Sequence, residues 1–168
     1  MKIAVALLIA LACVVAIWYF TRQVTSDTDG GFVTTRDFPA LVSALKETGG
    51  PGSFWVVLVP GTAKADGYTA NLQYSIEDGV VGLDWVLIAE RNLEDKQRFL
   101  DVAHSAGAKI EEKEGNGVRY LRATGTPDLT GLGREILQRL YAVKPDDNLQ
   151  LIVTGFKWHK TSSTTPTI

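Results

Sequence analysis

Cysteine, methionine and histidine are almost missing from these 168 residues: one Cys, one Met and two His. A single Cys13 excludes an intrachain disulfide. His104 and His159 stand at no metal-ligand spacing from each other or from Cys13, and a metal site needs three or four convergent ligands. Charge of one sign is lacking too: 17 Lys and Arg face 19 Asp and Glu, a formal net charge of −2. That balance excludes the basic footprint of a nucleic-acid binder. There is no internal repeat and no low-complexity tract. Phosphate-binding signatures are also absent. Gly125 to Gly133 holds three glycines near a helix start, but no Gly-Lys-Ser/Thr follows, and Gly131-Leu132-Gly133 has no third glycine in register. Asp128 would repel a phosphate, so this stretch reads as a turn with small residues where a helix packs on a sheet. No catalytic, cofactor-binding or metal-binding residue is assigned from the sequence.

What the chain does have is a long apolar run at its amino end. Ile3 to Phe20 is 18 residues without a charge. At a rise of ~1.5 Å per residue this spans roughly 27 Å, close to the hydrocarbon thickness of a bilayer. Trp18, Tyr19 and Phe20 sit where an aromatic belt meets the headgroups. Residues 1–22 are therefore expected to be a single-pass transmembrane anchor, with the membrane engaged through residues 3–20. Cleavage after Ala16 and lipidation at Cys13 are the alternatives; the first would leave Ile-Trp-Tyr-Phe at an exposed end, and the second lacks a polar tether after the cysteine. Lys2 favours an inside amino terminus and Arg22 pulls the other way, so the weak balance places the folded domain outside the cytoplasm.

Residues 23–36 are polar, with glycines and threonines, and read as a flexible linker. Residues 37–158 are expected to form one α+β domain, and His159 to Ile168 a disordered tail. Asp37 caps a first helix from Phe38 to Thr48, with Pro39 tolerated in the first turn. Phe54 to Val59 is apolar throughout and predicts a strand covered on both faces. Tyr68 to Ile76 alternates and predicts a strand with one wet face, and Asp78-Gly79 is a hairpin pair.

The residues from Gly82 to Trp158 organise the rest. Leu83, Trp85 and Leu87 alternate along a strand from Gly82 to Ile88. Asn92 caps a helix over 93–106, which Gly107 ends. Lys109 to Lys113 is so charged that it predicts an edge strand. Asn116 with its flanking glycines makes a hairpin to a strand over 118–124. Thr126-Pro127-Asp128 starts a second helix, and Leu149 to Phe156 is the last strand. This order, strand-helix-strand-strand-helix-strand, predicts a ferredoxin-like βαββαβ core over 82–158 with an N-terminal αββ extension. Without its last strand the full order also resembles type III secretion chaperones and related peptide-binding proteins, over about 105 residues in topology alone; the resemblance implies a peptide-binding, chaperone-like module.

Glu90, Arg91, Glu94, Asp95, Lys96 and Arg98 form a mixed-charge cluster, expected to be a solvated face. Carboxylates such as Asp84 and Glu90, near a strand end, would suit acid–base chemistry, with Asp84 of interest if it is buried. Trp55, Trp85 and Trp158 are expected on strands, and Trp158 with Phe156 would mark an interface if exposed. The expected function is a membrane-anchored, non-enzymatic binding domain with a protein or peptide partner. A small-ligand sensor is the alternative, and an enzyme ranks below both.

Overall fold

The computed structural model describes residues 31–158. The expected anchor 1–22, residues 23–30 of the linker and the tail 159–168 lie outside the described residues. Among the described residues, seven strands form one sheet: β1 Gly31–Val33, β2 Phe54–Leu58, β3 Asn71–Glu77, β4 Val80–Val86, β5 Lys109–Gly115, β6 Val118–Thr124 and β7 Leu149–Thr154. Their order is β1-β7-β2-β3-β4-β6-β5, and every pairing is antiparallel. The helices are α1 Phe38–Thr48, α2 Glu90–Glu94, α3 Lys96–Ser105 and α4 Leu129–Tyr141, with a 3-10 turn at Thr35–Asp37. No helix among the described residues is long and apolar enough to cross a membrane.

The turn chemistry explains the tight connections. Asp78 and Gly79 take φ of 51° and 75°, and Asn116 and Gly117 take 52° and 76°. Two successive positive φ angles match the right-handed twist of a hairpin, and Asn, Asp and Gly adopt them at least cost. Gly107, with φ of 71°, stops α3.

Helices α1, α3 and α4 all pack on one face of the sheet. That face carries Trp55, Val57, Leu72, Tyr74, Leu83, Trp85, Leu121, Leu151 and Val153, each at most 3% exposed. Trp55 stacks on Tyr74 at 4.3 Å between ring centroids, and Phe38 of α1 meets Trp55 edge-on at 5.0 Å. Trp85 stacks on Phe99 of α3 at 4.9 Å. The Tyr74 hydroxyl donates to the Leu129 carbonyl at 3.0 Å, and a Cβ on Gly133 would fall 1.9 Å from that hydroxyl. Gly133 is therefore a packing glycine, placed where α4 meets the sheet.

The mixed α+β architecture with a large antiparallel sheet matches the sequence reading, but the strand order departs from the expected core. A ferredoxin-like arrangement would set β7 beside β4. Here β2 and β3 lie between them, and β7 pairs with β2 and β1. β2 is paired on both edges, with Trp55 and Val57 pointing to the helices and Phe54, Val56 and Leu58 half-buried on the other face. The αββ segment is thus the middle of the sheet and not an extension.

Smaller departures have local causes. The helix expected over 93–106 is broken at Asp95 into α2 and α3. Asn92 is not its cap: fully buried, it accepts from the Asn71 amide at 3.2 Å and donates to the Val86 carbonyl at 3.0 Å, tying the ends of β3 and β4 to α2. Asp128, not Thr126, caps α4. Residues 31–33 of the expected linker form a strand on the sheet edge. The ladder of β7 ends at Thr154, so Trp158 lies past the strand, half-buried against the core. The charged segment is the edge strand expected, paired along its whole length with β6.

Candidate functional site

The face of the sheet away from the helices divides into two unlike halves. The strand registers lay one row of side chains across six strands: Ile152, Val56, Gln73, Asp84, Arg122 and Glu111. Apolar residues begin the row and charged ones end it.

On the β3-β4-β6 half, Asp84 and Arg122 are 1% and 3% exposed although none of the described helices covers them. The geometry explains this. Gly82 has no side chain, and Arg122 lies over it: a Cβ there would meet the guanidinium carbon at 2.5 Å. Arg122 donates to Asp84 Oδ1 at 2.7 Å, to Ser75 Oγ at 2.9 Å and to the Val80 carbonyl at 2.7 Å. Ser75 Oγ donates to Asp84 Oδ2 in a short hydrogen bond. Outside this centre, Glu77 accepts from the Tyr120 hydroxyl at 2.6 Å and from Lys113 Nζ at 2.8 Å.

The electrostatics follow from burial and partners. Burial pushes the Asp84 carboxyl up, and the Arg122 charge and the Ser75 hydrogen bond offset only part of that. Burial would also raise Glu77, but hydrogen bonds from Lys113 and Tyr120, with the Arg122 charge, outweigh it and hold Glu77 below the usual carboxylate range. Burial and the neighbouring Glu77 push the Tyr120 hydroxyl up. Each charge in the group is answered by another, the condition under which a buried ion pair persists. Such a group holds β3, β4 and β6 in register.

The β1-β7-β2 half carries Phe54, Val56, Leu58 and Ile152, all half-buried, with Phe32 at 65% exposure at its margin. No titratable side chain interrupts these residues on β2 and β7.

The residues singled out in the sequence are dispersed. Asp84 is buried, but its side-chain partners are Ser75, Gln73 and Arg122; Glu90 is exposed at the start of α2, where its amide donates to Asp66 at 2.7 Å. His104 is exposed on α3, while Cys13 and His159 lie outside the described residues. The mixed-charge cluster is not wholly a solvated face. Asp95 is 4% exposed, held between Arg91 at 2.8 Å and Arg98 at 2.9 Å. Arg98 also donates to the Arg139 carbonyl at 3.1 Å, which fastens the α2–α3 joint to the end of α4. The glycine-rich stretch borders a groove of about 350 Å³ lined by Pro39, Lys46, Val81, Thr126 and Asp128. Asp128 occupies the amino end of α4, accepting from the Gly131 amide at 2.7 Å and from the Thr130 hydroxyl at 2.8 Å. Among the described residues no group of three or more His, Cys, Asp or Glu is placed to hold a metal.

The Ser75–Asp84–Arg122 group was not assigned from the sequence. Its signal is parity: Gly82 and Asp84 alternate with Leu83 and Trp85, and Arg122 stands between Leu121 and Ala123. The chain matches no protein-family model, and the comparisons found no matching curated protein or solved structure.

Proposed function

We propose that this chain is a membrane-tethered, non-enzymatic binding module that takes a protein or peptide partner on the β1-β7-β2 side of its sheet. The observation that carries this reading is the contrast on one sheet face. Polar groups on the β3-β4-β6 half satisfy one another, whereas on the other half Phe54, Val56, Leu58 and Ile152 form a partly exposed apolar centre flanked by polar Gln150 and Thr154, the pattern of an apolar interface core with a polar rim. The uncharged run Ile3 to Phe20 supplies the tether, and the domain is placed outside the cytoplasm. We read β4 to β7 as a ferredoxin-like split β-α-β unit opened by β2 and β3, a fold-level statement that carries no function. The small-ligand sensor ranks second: the groove beside α4 supports it, and the Asp128 carboxylate at that helix end weighs against an anionic ligand.

In-cell crosslinking of the full tethered chain tests the proposal. One or a few proteins should be enriched reproducibly over a chain carrying Val56→Glu. Equal recovery from both chains, or none from either, contradicts it. Paired reporters fused after Trp158, active on opposite sides of the membrane, test the placement; activity of the cytoplasmic reporter alone would reverse it.

A further inference from the structure

The described residues expose five large apolar side chains, and three of them, Tyr68, Ile88 and Leu93, stand at one end of the sheet. That end is where β2 and β4 finish and β3 begins. One carboxylate gathers the backbone there. Asp66 accepts from the Tyr68 amide at 3.0 Å and from the Glu90 amide at 2.7 Å. Ile88 lies just before Glu90, and the Leu93 amide donates to the Ala89 carbonyl at 3.1 Å, which closes the turn of α2. Lys64, from the loop that carries Tyr68, pairs with Glu94 at 3.0 Å. The loop before β3 and α2 thus form one tip.

Burial is inverted on α2. Asn92 is fully buried, held inward by Asn71 and Val86, while Leu93 beside it is half exposed. Single exposed leucines are ordinary, but a leucine, an isoleucine and a tyrosine brought to one tip mark a contact surface. The charges beside them are largely answered within the tip. Glu94 meets both Lys64 and Arg91, the latter at 3.5 Å, and Asp66 holds two amides. A surface that approaches the tip meets apolar side chains beside nearly balanced charge, which suits a zwitterionic lipid surface.

The length of chain before β1 points to the same occupant. Residues 21–30 separate the uncharged run Ile3 to Phe20 from β1. Even fully extended they span at most about 36 Å, and a domain of this size has a radius of gyration of about 14 Å. The tether therefore cannot carry the domain farther from the bilayer than about its own diameter. The tip lies up to four strands across from β1, about 19 Å at ~4.8 Å per strand, within that reach. From these placements we infer that the tip docks on the bilayer that holds the anchor, with Tyr68, Ile88 and Leu93 set among the lipid headgroups. The inference rests on the tether of the proposed function and adds a second membrane contact to it. With that end down, the sheet stands on its strand ends, and the β1-β7-β2 half of the open face stays free for its partner.

The test uses the full chain in phosphatidylcholine vesicles, in a Cys13→Ser background. Leu93→Cys carries an environment-sensitive dye. Glu47→Cys, exposed on α1 at the opposite end, where Gly49 abuts Ile76, carries it as the control. The inference predicts a blue-shifted dye at 93 that nitroxide-bearing lipids quench, and a dye at 47 that they leave unquenched. Tyr68→Ser with Ile88→Ser should weaken the docking equilibrium about tenfold; both side chains are already half exposed, so the core is kept. Absent lipid quenching at 93, equal quenching at 93 and 47, or unchanged quenching in the double variant overturns the docking. A blue shift without lipid quenching also overturns it and gives the patch to a protein. Alkaline carbonate extraction separates the two claims. A chain that resists extraction but shows no quenching at 93 loses the docking and keeps the tether, whereas a chain that carbonate releases loses both.

Discussion

The two halves of the open sheet face solve the same problem in different ways. On the β3-β4-β6 half, an arginine and an aspartate are buried on a face that none of the described helices covers, and they succeed because Gly82 leaves room for the guanidinium. On the β1-β7-β2 half, Phe54, Val56, Leu58 and Ile152 are apolar and half-buried and require no polar partner, while Thr154 beside them has a buried hydroxyl without a hydrogen bond. The first half is finished by its own residues. The second gains from being covered. Burial alone therefore does not mark the candidate interface here: the buried Asp84–Arg122 pair joins neighbouring strands, and the plainer surface is the candidate interface.

Substitutions should separate the halves. Arg122→Met is expected to have the largest effect, a loss of about 3–5 kcal/mol in urea unfolding, because it leaves Asp84 buried without a countercharge. Gly82→Val should follow, at about 1–3 kcal/mol, since its side chain needs the space that Arg122 occupies; a full-size loss with Arg122 present and none in an Arg122→Met chain would confirm the shared space. Acid titration gives a third, smaller effect. Glu77 is held below the usual carboxylate range, so its contribution to stability is present above the unfolded pKa, about 4.3, and is lost as pH falls through the lower folded value. Asp84, pushed up, has the opposite sign and favours the fold most when protonated. Glu77→Gln should thus lower stability at neutral pH and flatten its decline below about pH 4.3; an unchanged acid slope would break the assignment. The smallest stability effect belongs to the apolar half: Ile152→Ser should change unfolding by no more than about 1 kcal/mol, since the residue is already partly exposed, while reducing partner capture.

Much of the fold could be read from residue chemistry. The Asp78-Gly79 and Asn116-Gly117 hairpins, the glycine stop at 107 and the charged edge strand from Lys109 each depend on local rules. Strand order depends on long-range packing, and there the expectation failed. The apolar run at Phe54 announced a strand covered on both faces; it is a strand, but only its Trp55 and Val57 face is covered, and only the assembled sheet shows that it separates β7 from β4. Asn92 misled for a related reason. Its side chain is equally suited to capping a helix and to bridging two strand ends, and only the presence of Asn71 and Val86 beside it selects the second. The Asp84–Arg122 pair joins residues 38 positions apart, which no local pattern specifies. The apolar half has the same origin: Val56 and Ile152 are neighbours only because β7 docks on β2.

Site-specific photocrosslinking in the full tethered chain is the most direct test. A photoreactive amino acid would replace Ile152 on one half and, separately, Glu111 at the other end of the same cross-sheet row. The account predicts a discrete partner adduct from position 152 and none from position 111. Adducts from 111 alone, or the same adducts from both positions, would contradict it.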